Sequence, residues 1–235
     1  MSLVKIPYIL VAMVGLHVTT TAPHPPPLPE ERLLSSTVEQ LMKQRSGPII
    51  IKTICWSAAF AEILVILASH RPHMSIAQGL LGALALKGTE AKIELSKPFI
   101  FGTLLTALGG LIRSMCYREL GRLFTFEVSI RKEHKLVTSG PYAIVRHPGY
   151  IGVVLCVIGI IMWHAGSGSW ARECGPLDTK IGQGAAIIYL VLVTVITSGL
   201  LVRMQSEDQA LWEAFGEEWV DWSVRVPYRL IPGVY

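Results

Sequence analysis

Residues 185–202 read AAIIYLVLVTVITSGLLV, a run without a single charged side chain. A helix needs ~20 predominantly apolar residues to cross the hydrocarbon core of a bilayer. The stretch therefore predicts a membrane-spanning helix, which argues against a soluble globular protein. The composition agrees, because 51% of the 235 residues are apolar and only 16% are charged, whereas a soluble domain carries about 25% charged residues.

Other apolar stretches extend this prediction over most of the chain. Candidate spans lie at 49–69, 99–117, the shorter 150–163, and 6–18 near the start. The last of these is either a retained membrane helix or a cleaved signal peptide, since Lys5 precedes it and small residues follow it. A run at 80–86 is too short to span, and residues 30–45 have an amphipathic pattern. We predict an all-α, polytopic integral membrane protein with about five transmembrane helices.

The positions of the basic residues predict which segments share a membrane face. Lys and Arg mark the cytosolic side of membrane proteins, and residues 118–148 hold six of them while the tail after Val202 holds three. Residues 164–184 hold only two, although residues 70–98 hold four, which weakens the contrast. We expect 118–148 and the tail to meet at the cytosolic face. The overall net charge of +4 is too small to indicate nucleic-acid binding, and no such partner is predicted.

Two further predictions concern the four cysteines and the one acidic residue within a predicted span. No Cys-x-x-Cys pair is present among the four, so the sequence predicts neither a zinc site nor a thiol redox site, and no metal is expected. Glu62 lies deep inside the span 49–69, where an ionisable group is costly. We predict that Glu62 either pairs with another helix, with Arg113 as a candidate partner, or contacts a ligand.

The first polar segment that contains candidate functional residues spans residues 134–150, which read HKLVTSGPYAIVRHPGY. Gly and Pro predict a turn at 139–142, and Pro148 is well placed to begin the helix that follows. Arg146 and His147 put cations at that helix start, where they oppose the helix dipole. An anionic group or a polar ligand is therefore expected beside them.

The second polar segment begins where the apolar run 185–202 ends. Arg203 and Glu207 are four residues apart, so on a helix they share one face and form an ion pair at the surface. Alternatively, Arg203 binds a ligand carboxylate through two parallel hydrogen bonds, and Glu207 faces a cationic or amine-bearing ligand. The residues alone leave both interpretations open.

Together these segments resemble one family, the isoprenylcysteine carboxyl methyltransferases. The matching motifs are LVTSGPY at 136–142, RHPGYIG at 146–152, FGEEW at 215–219 and RVP at 225–227. The resemblance covers residues 99–235, which we expect to be the catalytic methyltransferase region, with N-terminal membrane helices and connecting segments in 1–98. It implies an integral membrane enzyme of the endoplasmic reticulum with its catalytic C-terminal half facing the cytosol. Such an enzyme transfers a methyl group from S-adenosylmethionine to the C-terminal carboxylate of a prenylated cysteine, in a protein or a small prenylcysteine.

The resemblance also implies roles for individual residues. Arg203 falls where the family binds the substrate carboxylate and is the predicted catalytic residue. Glu127 stands where the family has Gln, and Gln205 and Ser206 replace an acidic run. The positions that match cofactor contacts in the family are His134, Lys135, Leu136, Val137, Tyr142, His147, Pro148, Gly149, Tyr150 and Glu207.

Three alternatives remain at this point. A related membrane methyltransferase could act on another lipid or on a terpenoid acid, although an amine substrate would not suit Arg203. Membrane sterol reductases share a related C-terminal architecture, so a nicotinamide-dependent reductase is the second alternative. The third is a lipid-binding protein without activity.

Overall fold

The computed structural model describes residues 2–24, 46–88, 92–124 and 135–234. Within these ranges all regular structure is helical, which confirms the predicted all-α class. The α-helices are α1 (Lys5–Thr20), α2 (Ser46–Ser69), α3 (Ser75–Leu84), α4 (Lys97–Leu120), α5 (Pro148–Ala165), α6 (Trp170–Glu173), α7 (Lys180–Phe215) and α8 (Glu217–Arg225). The predicted amphipathic helix at 30–45 and residues His134 and Glu127 lie outside the described residues.

Four of these helices, α2, α4, α5 and α7, are long and apolar enough to cross a membrane. They coincide with four of the predicted spans, and the chain is an integral membrane protein. The fifth predicted span is α1, which is apolar but has 16 residues and so extends about 24 Å. Helix α3 has 10 residues, as the short apolar run in that region indicated.

The helices that meet at the site run in both directions. Helices α1 and α4 run in parallel, because Tyr8 packs edge-on against Phe99 near their starts and the Tyr117 hydroxyl donates to the Val18 carbonyl near their ends (2.9 Å). Helix α5 runs back along α4. The ends of α1 and α4, the start of α5 and the last third of α7 therefore lie at one end of the bundle, which we call the site end.

Glycine residues allow the close contact between α4 and α5. A Cβ on Gly109 would overlap the Gly152 carbonyl oxygen, and one on Gly102 would meet the Gly159 carbonyl. Gly15 of α1 lies equally close to the backbone of α4 at Thr106. Small residues at such contacts let helix backbones approach, which is how membrane helices gain packing energy in lipid. These glycines allow α1, α4 and α5 to pack closely, and these helices form part of the site end.

Helix α7 is the least enclosed of the long helices. It exposes Ile187, Val191, Val195 and Val202, which suits side chains in contact with lipid tails. Thr179 is the N-cap of this helix, and its hydroxyl accepts from the Gly182 N–H (3.0 Å). Its buried residues near the end include Arg203, Met204 and Asp208, so the charged part of α7 is turned toward the protein.

A buried polar cluster lies at the opposite end of the bundle, and it confirms that Glu62 pairs with another helix but corrects the candidate partner. Glu62 pairs with Lys5 of α1 (2.6 Å), and both side chains are 0% exposed. Its second oxygen accepts from the Trp163 indole N–H (3.2 Å) and the Trp170 backbone N–H (3.3 Å). Arg113 is not the partner, because it lies near the site end of α4, where it donates to the Tyr117 hydroxyl. This packing favours the retained-helix alternative for residues 6–18, since without α1 the Glu62 charge would be buried without its cation.

Candidate functional site

The two polar segments singled out from the sequence meet at the site end. The Arg146 N–H donates to the Tyr228 carbonyl (3.0 Å) and the His147 N–H to the Arg229 carbonyl (2.8 Å). The Trp222 indole N–H donates to the Tyr142 carbonyl (3.1 Å). Three hydrogen bonds thus tie the C-terminal tail to the segment that precedes α5.

Local conformation at Gly216 makes this meeting possible. Helix α7 ends there, with φ at +52°, a conformation that residues with a Cβ adopt rarely. The chain then reverses into α8, whose inner face buries Trp222. The turn predicted at 139–142 is also present, as a 3₁₀ turn over Gly140–Ala143 that begins with Gly140 at φ +57°. Helix α5 follows, with Pro148 in its first turn as expected.

His147 is the centre of the site. It is buried at the start of α5, and its Nε2 lies 3.1 Å from Asp208 Oδ1 while its Nδ1 lies 3.5 Å from Glu207 Oε2. Burial by itself lowers the pKa of the imidazole, but the adjacent carboxylates outweigh this effect and hold the His147 pKa above its usual value. The two carboxylates thus stabilise the imidazolium form of His147 more than water stabilises that of a free imidazole.

Arg203 and Glu207 form the ion pair that their spacing predicted. Arg203 Nη2 lies 2.6 Å from Glu207 Oε1, and Arg203 Nε donates to the same oxygen at 2.7 Å. The Arg203 side chain is buried, so the pair is shielded from water more than a surface i,i+4 pair would be. Glu207 therefore bridges Arg203 and His147.

The remaining predicted cofactor residues lie at different distances from this centre. Tyr150 stacks on the His147 ring, with 5.5 Å between centroids. Gly149 is buried close to Arg113, and an added Cβ would lie 3.1 Å from Arg113 Nη1. Lys135 is exposed and Leu136 and Val137 are half-buried in a segment without regular secondary structure. Among the described residues, no hydrogen bond or ion pair joins those three to the centre.

Asp208, Arg229 and two tryptophans are members of the site that the sequence did not reveal. Asp208 Oδ2 lies 3.3 Å from Arg146 Nη2 and 3.2 Å from Arg229 Nε, and Arg146 also lies over the Trp219 ring at 5.6 Å. Asp208 is therefore the anionic group that was expected beside the basic residues at the start of α5. The available signal was an acidic residue directly after Glu207, but sequence does not show which basic residues it meets.

The site gathers charged side chains of both signs. Four basic side chains contact two carboxylates in this group of described residues. A cluster rich in basic side chains in a shielded setting favours an anionic ligand. The cationic members are Arg146, His147, Arg203 and Arg229, and the carboxylates are Glu207 and Asp208.

Known proteins are similar in sequence to part of this chain. The model of the isoprenylcysteine carboxyl methyltransferase (ICMT) family matches residues 102–167. Protein-S-isoprenylcysteine O-methyltransferase B of Arabidopsis thaliana is 33% identical over 129 residues, which are 54% of this chain and 56% of that protein. The protein-S-isoprenylcysteine O-methyltransferase of Rattus norvegicus is 30% identical over 131 residues, 55% of this chain and 39% of that protein.

A shorter match leads to another class of membrane enzyme. A Delta(14)-sterol reductase of Mus musculus is 28% identical over 101 residues, 43% of this chain but only 20% of that protein. The matched part of this chain spans about half the length of the Arabidopsis methyltransferase and less of the rat protein. The comparisons therefore confirm the resemblance to the isoprenylcysteine carboxyl methyltransferase family, with the match to the family's model in residues 102–167, which run from the first turns of α4 to just beyond α5.

Proposed function

We propose that the protein is an S-adenosylmethionine-dependent O-methyltransferase of the membrane. Its substrate is the C-terminal carboxylate of a prenylated cysteine, in a protein or in a small prenylcysteine. The observation that carries the proposal is the cluster of four basic side chains and two carboxylates at the site end of the helix pair that matches the ICMT family. An enzyme for this reaction must hold carboxylates at the membrane surface, and this cluster has the charge for that task.

The residues at the site end fit S-adenosylmethionine. The buried Arg146 Nε has no hydrogen-bond partner among the described residues, and a buried donor without a partner costs about 1–3 kcal/mol. A ligand with an acceptor group would satisfy it. His147, Pro148, Gly149, Tyr150 and Glu207 would hold the cofactor, together with Tyr142 and the segment 134–137. When bound, S-adenosylmethionine supplies an electrophilic methyl group.

The chain's own residues then have to position a nucleophile rather than create one. A carboxylate is ionised at neutral pH, so the reaction needs no general base. Arg203, at the end of the apolar run of α7, would orient the substrate carboxylate, and Glu207 would keep Arg203 in place. Holding two reactants in alignment can supply about 7–11 kcal/mol of the barrier. The prenyl chain would remain among lipid and the apolar helix surfaces.

Location and domain roles belong to the same proposal. We place the site end at the cytosolic face of the endoplasmic reticulum, because the described basic residues of 118–148 and of the tail lie there. Residues 99–235 would form the catalytic region. The N-terminal part, 1–98, would support it through α1, since Gly15 lies directly against the backbone of α4.

A direct assay tests the function. Purified protein in nanodiscs receives labelled S-adenosylmethionine and N-acetyl-S-farnesylcysteine or its geranylgeranyl analogue, and methyl ester is measured. The expected result is ester from the wild type and a loss of kcat/KM of about a hundredfold or more in Arg203→Ala, as for truncation of a buried charge partner. The matched control is Arg172→Ala, an exposed arginine at the other end of the bundle, with unchanged activity.

Three outcomes would contradict the proposal or part of it. Absence of methyl ester with both prenyl analogues would remove the methyltransferase assignment. Oxidation of a reduced nicotinamide cofactor in the presence of an unsaturated sterol would favour the reductase instead, the class to which the Mus musculus relative belongs. Equal activity of Arg203→Ala and wild type would keep the enzyme but reject Arg203 as the group that binds the carboxylate.

A further inference from the structure

The Asp208 carboxylate joins three cationic side chains from two separate segments. Its Oδ1 lies 3.1 Å from His147 Nε2, while its Oδ2 lies 3.3 Å from Arg146 Nη2 and 3.2 Å from Arg229 Nε. Asp208 is only 5% exposed. A carboxylate removed from water to this extent is stable only when its charge is compensated, so the three contacts depend on one another.

This geometry determines how the His147 ring is turned. With Nε2 directed at Asp208, Nδ1 is left to face Glu207, the residue that also holds Arg203. Rotation of the ring would lose both contacts. The orientation of His147 and the position of Glu207 are thus coupled through Asp208.

The same carboxylate also secures the C-terminal tail. Arg229 reaches Asp208 from the tail, and the hydrogen bonds of the Arg146 and His147 amides to the Tyr228 and Arg229 carbonyls lie directly beside this ion pair. Without the charge of Asp208, Arg229 would lose an anionic partner. The backbone hydrogen bonds of the Arg146 and His147 amides would then be less protected against hydrogen exchange.

We propose that Asp208 is a positioning residue, whose carboxylate fixes the orientation of His147 and fastens the C-terminal tail against the start of α5. The role of this arrangement in methyl transfer rests on the proposed function. The arrangement itself does not, because ring orientation and tail attachment are properties of the unliganded protein. Asp208 acts through His147 and the tail, and no contact of its own with substrate is required.

The first test measures the titration of His147 directly. The wild type and Asp208→Asn in nanodiscs are labelled with ¹³C-histidine, and the His147 signal is assigned by its loss in His147→Gln. The groups around the ring are Glu207, Asp208, Tyr150, Arg146 and, through Asp208, Arg229. Asp208→Asn removes one of the two nearby anions, so the His147 pKa should fall by about one pH unit.

Two matched variants complete this test. Asp208→Glu keeps the charge and should retain a raised His147 pKa, and Asp221→Asn removes an exposed carboxylate of α8 and should change nothing. An unchanged His147 pKa in Asp208→Asn would overturn the proposal. A fall of equal size in Asp221→Asn would overturn it as well, because the effect would then be one of general charge.

The second test follows the tail. Hydrogen exchange of the peptide that contains Arg146 and His147 should be at least about tenfold faster in Asp208→Asn, since the tail then loses the charged partner of Arg229. Arg229→Gln should accelerate the same exchange without lowering the His147 pKa to the same extent. Unchanged exchange in both variants would reject the tail attachment.

The kinetic test separates this proposal from the proposed function. If the wild type forms methyl ester, Asp208→Asn should raise the KM for S-adenosylmethionine about tenfold, change kcat less, and move the basic limb of the pH profile to lower pH, with recovery in Asp208→Glu. A fall in kcat alone would contradict a positioning role. If the wild type forms no ester, the proposed function fails, and the titration and exchange results still decide whether Asp208 positions His147 and the tail.

Discussion

His147 links the chemistry of the site to the stability of the protein. Because Asp208 and Glu207 raise its pKa in the folded state, folding takes up a proton over the pH range between the unfolded and folded values. The stabilisation is complete below the unfolded pKa of about 6.5 and is lost as the pH rises through the folded pKa. The thermal unfolding midpoint in detergent should therefore fall as the pH is raised through this range.

The variant His147→Gln isolates this contribution. Its unfolding midpoint should depend less on pH than that of the wild type above pH ~6.5, while His73→Gln, at an exposed position, should retain the wild-type dependence. Differential scanning fluorimetry at closely spaced pH values measures both. A wild-type midpoint that rises with pH through this range would contradict the raised pKa, and parallel curves for wild type and His147→Gln would do the same.

The residues of the site differ in how far the sequence could predict them. The spacing of Arg203 and Glu207 on one helix face predicted their contact, because neighbours four apart on a helix meet whatever the tertiary fold. Asp208 stands one position later and so points about 100° away around the helix. Its partners, Arg146, His147 and Arg229, come from distant segments, and their meeting depends on helix packing and on the reversal at Gly216. Local patterns contain no information of that kind.

Among the helices, α1 and α2 are joined by an ion pair that has almost no access to water. Lys5 and Glu62 are both 0% exposed, and Lys5 also donates to the Gly168 carbonyl at 2.6 Å. Removing one partner of a buried pair leaves an uncompensated charge and costs about 3–5 kcal/mol. We expect Glu62→Leu to lower the unfolding midpoint strongly.

The chain offers a matched control for this pair. Lys87 and Asp178 form an ion pair of similar length, 2.7 Å, but are 52% and 65% exposed, and such pairs contribute about 1 kcal/mol or less. Asp178→Leu should therefore change the midpoint little. The double variant Lys5→Met with Glu62→Leu should recover part of the loss, because no unpaired charge remains. Equal effects of Glu62→Leu and Asp178→Leu would show that burial of the pair is not important.

The positions of the long helices could be predicted from hydropathy, but the helices that each one packs against could not. The predicted spans coincide with α2, α4, α5 and α7, since a 20-residue apolar run in a bilayer has few alternatives to a helix. The partner of Glu62 was predicted less well, because α1 was an uncertain helix and its Lys5 was considered only as a flanking charge. Which helices face each other depends on small residues such as Gly15, Gly109 and Gly152, whose effect appears only when two backbones are brought together.

For the molecule as a whole, the structure divides the bundle into two ends of different chemistry. The site end carries the cluster of basic side chains around Glu207 and Asp208, and the opposite end carries the buried cluster of Lys5, Glu62 and Trp163. Membrane insertion distinguishes the two ends by their basic residues. The proposed cytosolic position of the site end therefore predicts that labels applied from the cytosolic side reach the site end alone.

Single cysteines introduced at each end test this orientation. All four native cysteines are buried, so they provide a low background for a membrane-impermeant maleimide. In sealed vesicles with the cytosolic side outward, Gln209→Cys, at an exposed position of the site end, should react without permeabilisation. Ala165→Cys, exposed at the last residue of α5 on the opposite side, should react only after detergent is added. The reverse pattern would place the basic cluster on the lumenal side. The carboxylates of cytosolic prenylated proteins could not reach Arg203 there. That result would exclude such proteins as substrates, although the protein could still transfer a methyl group to another substrate.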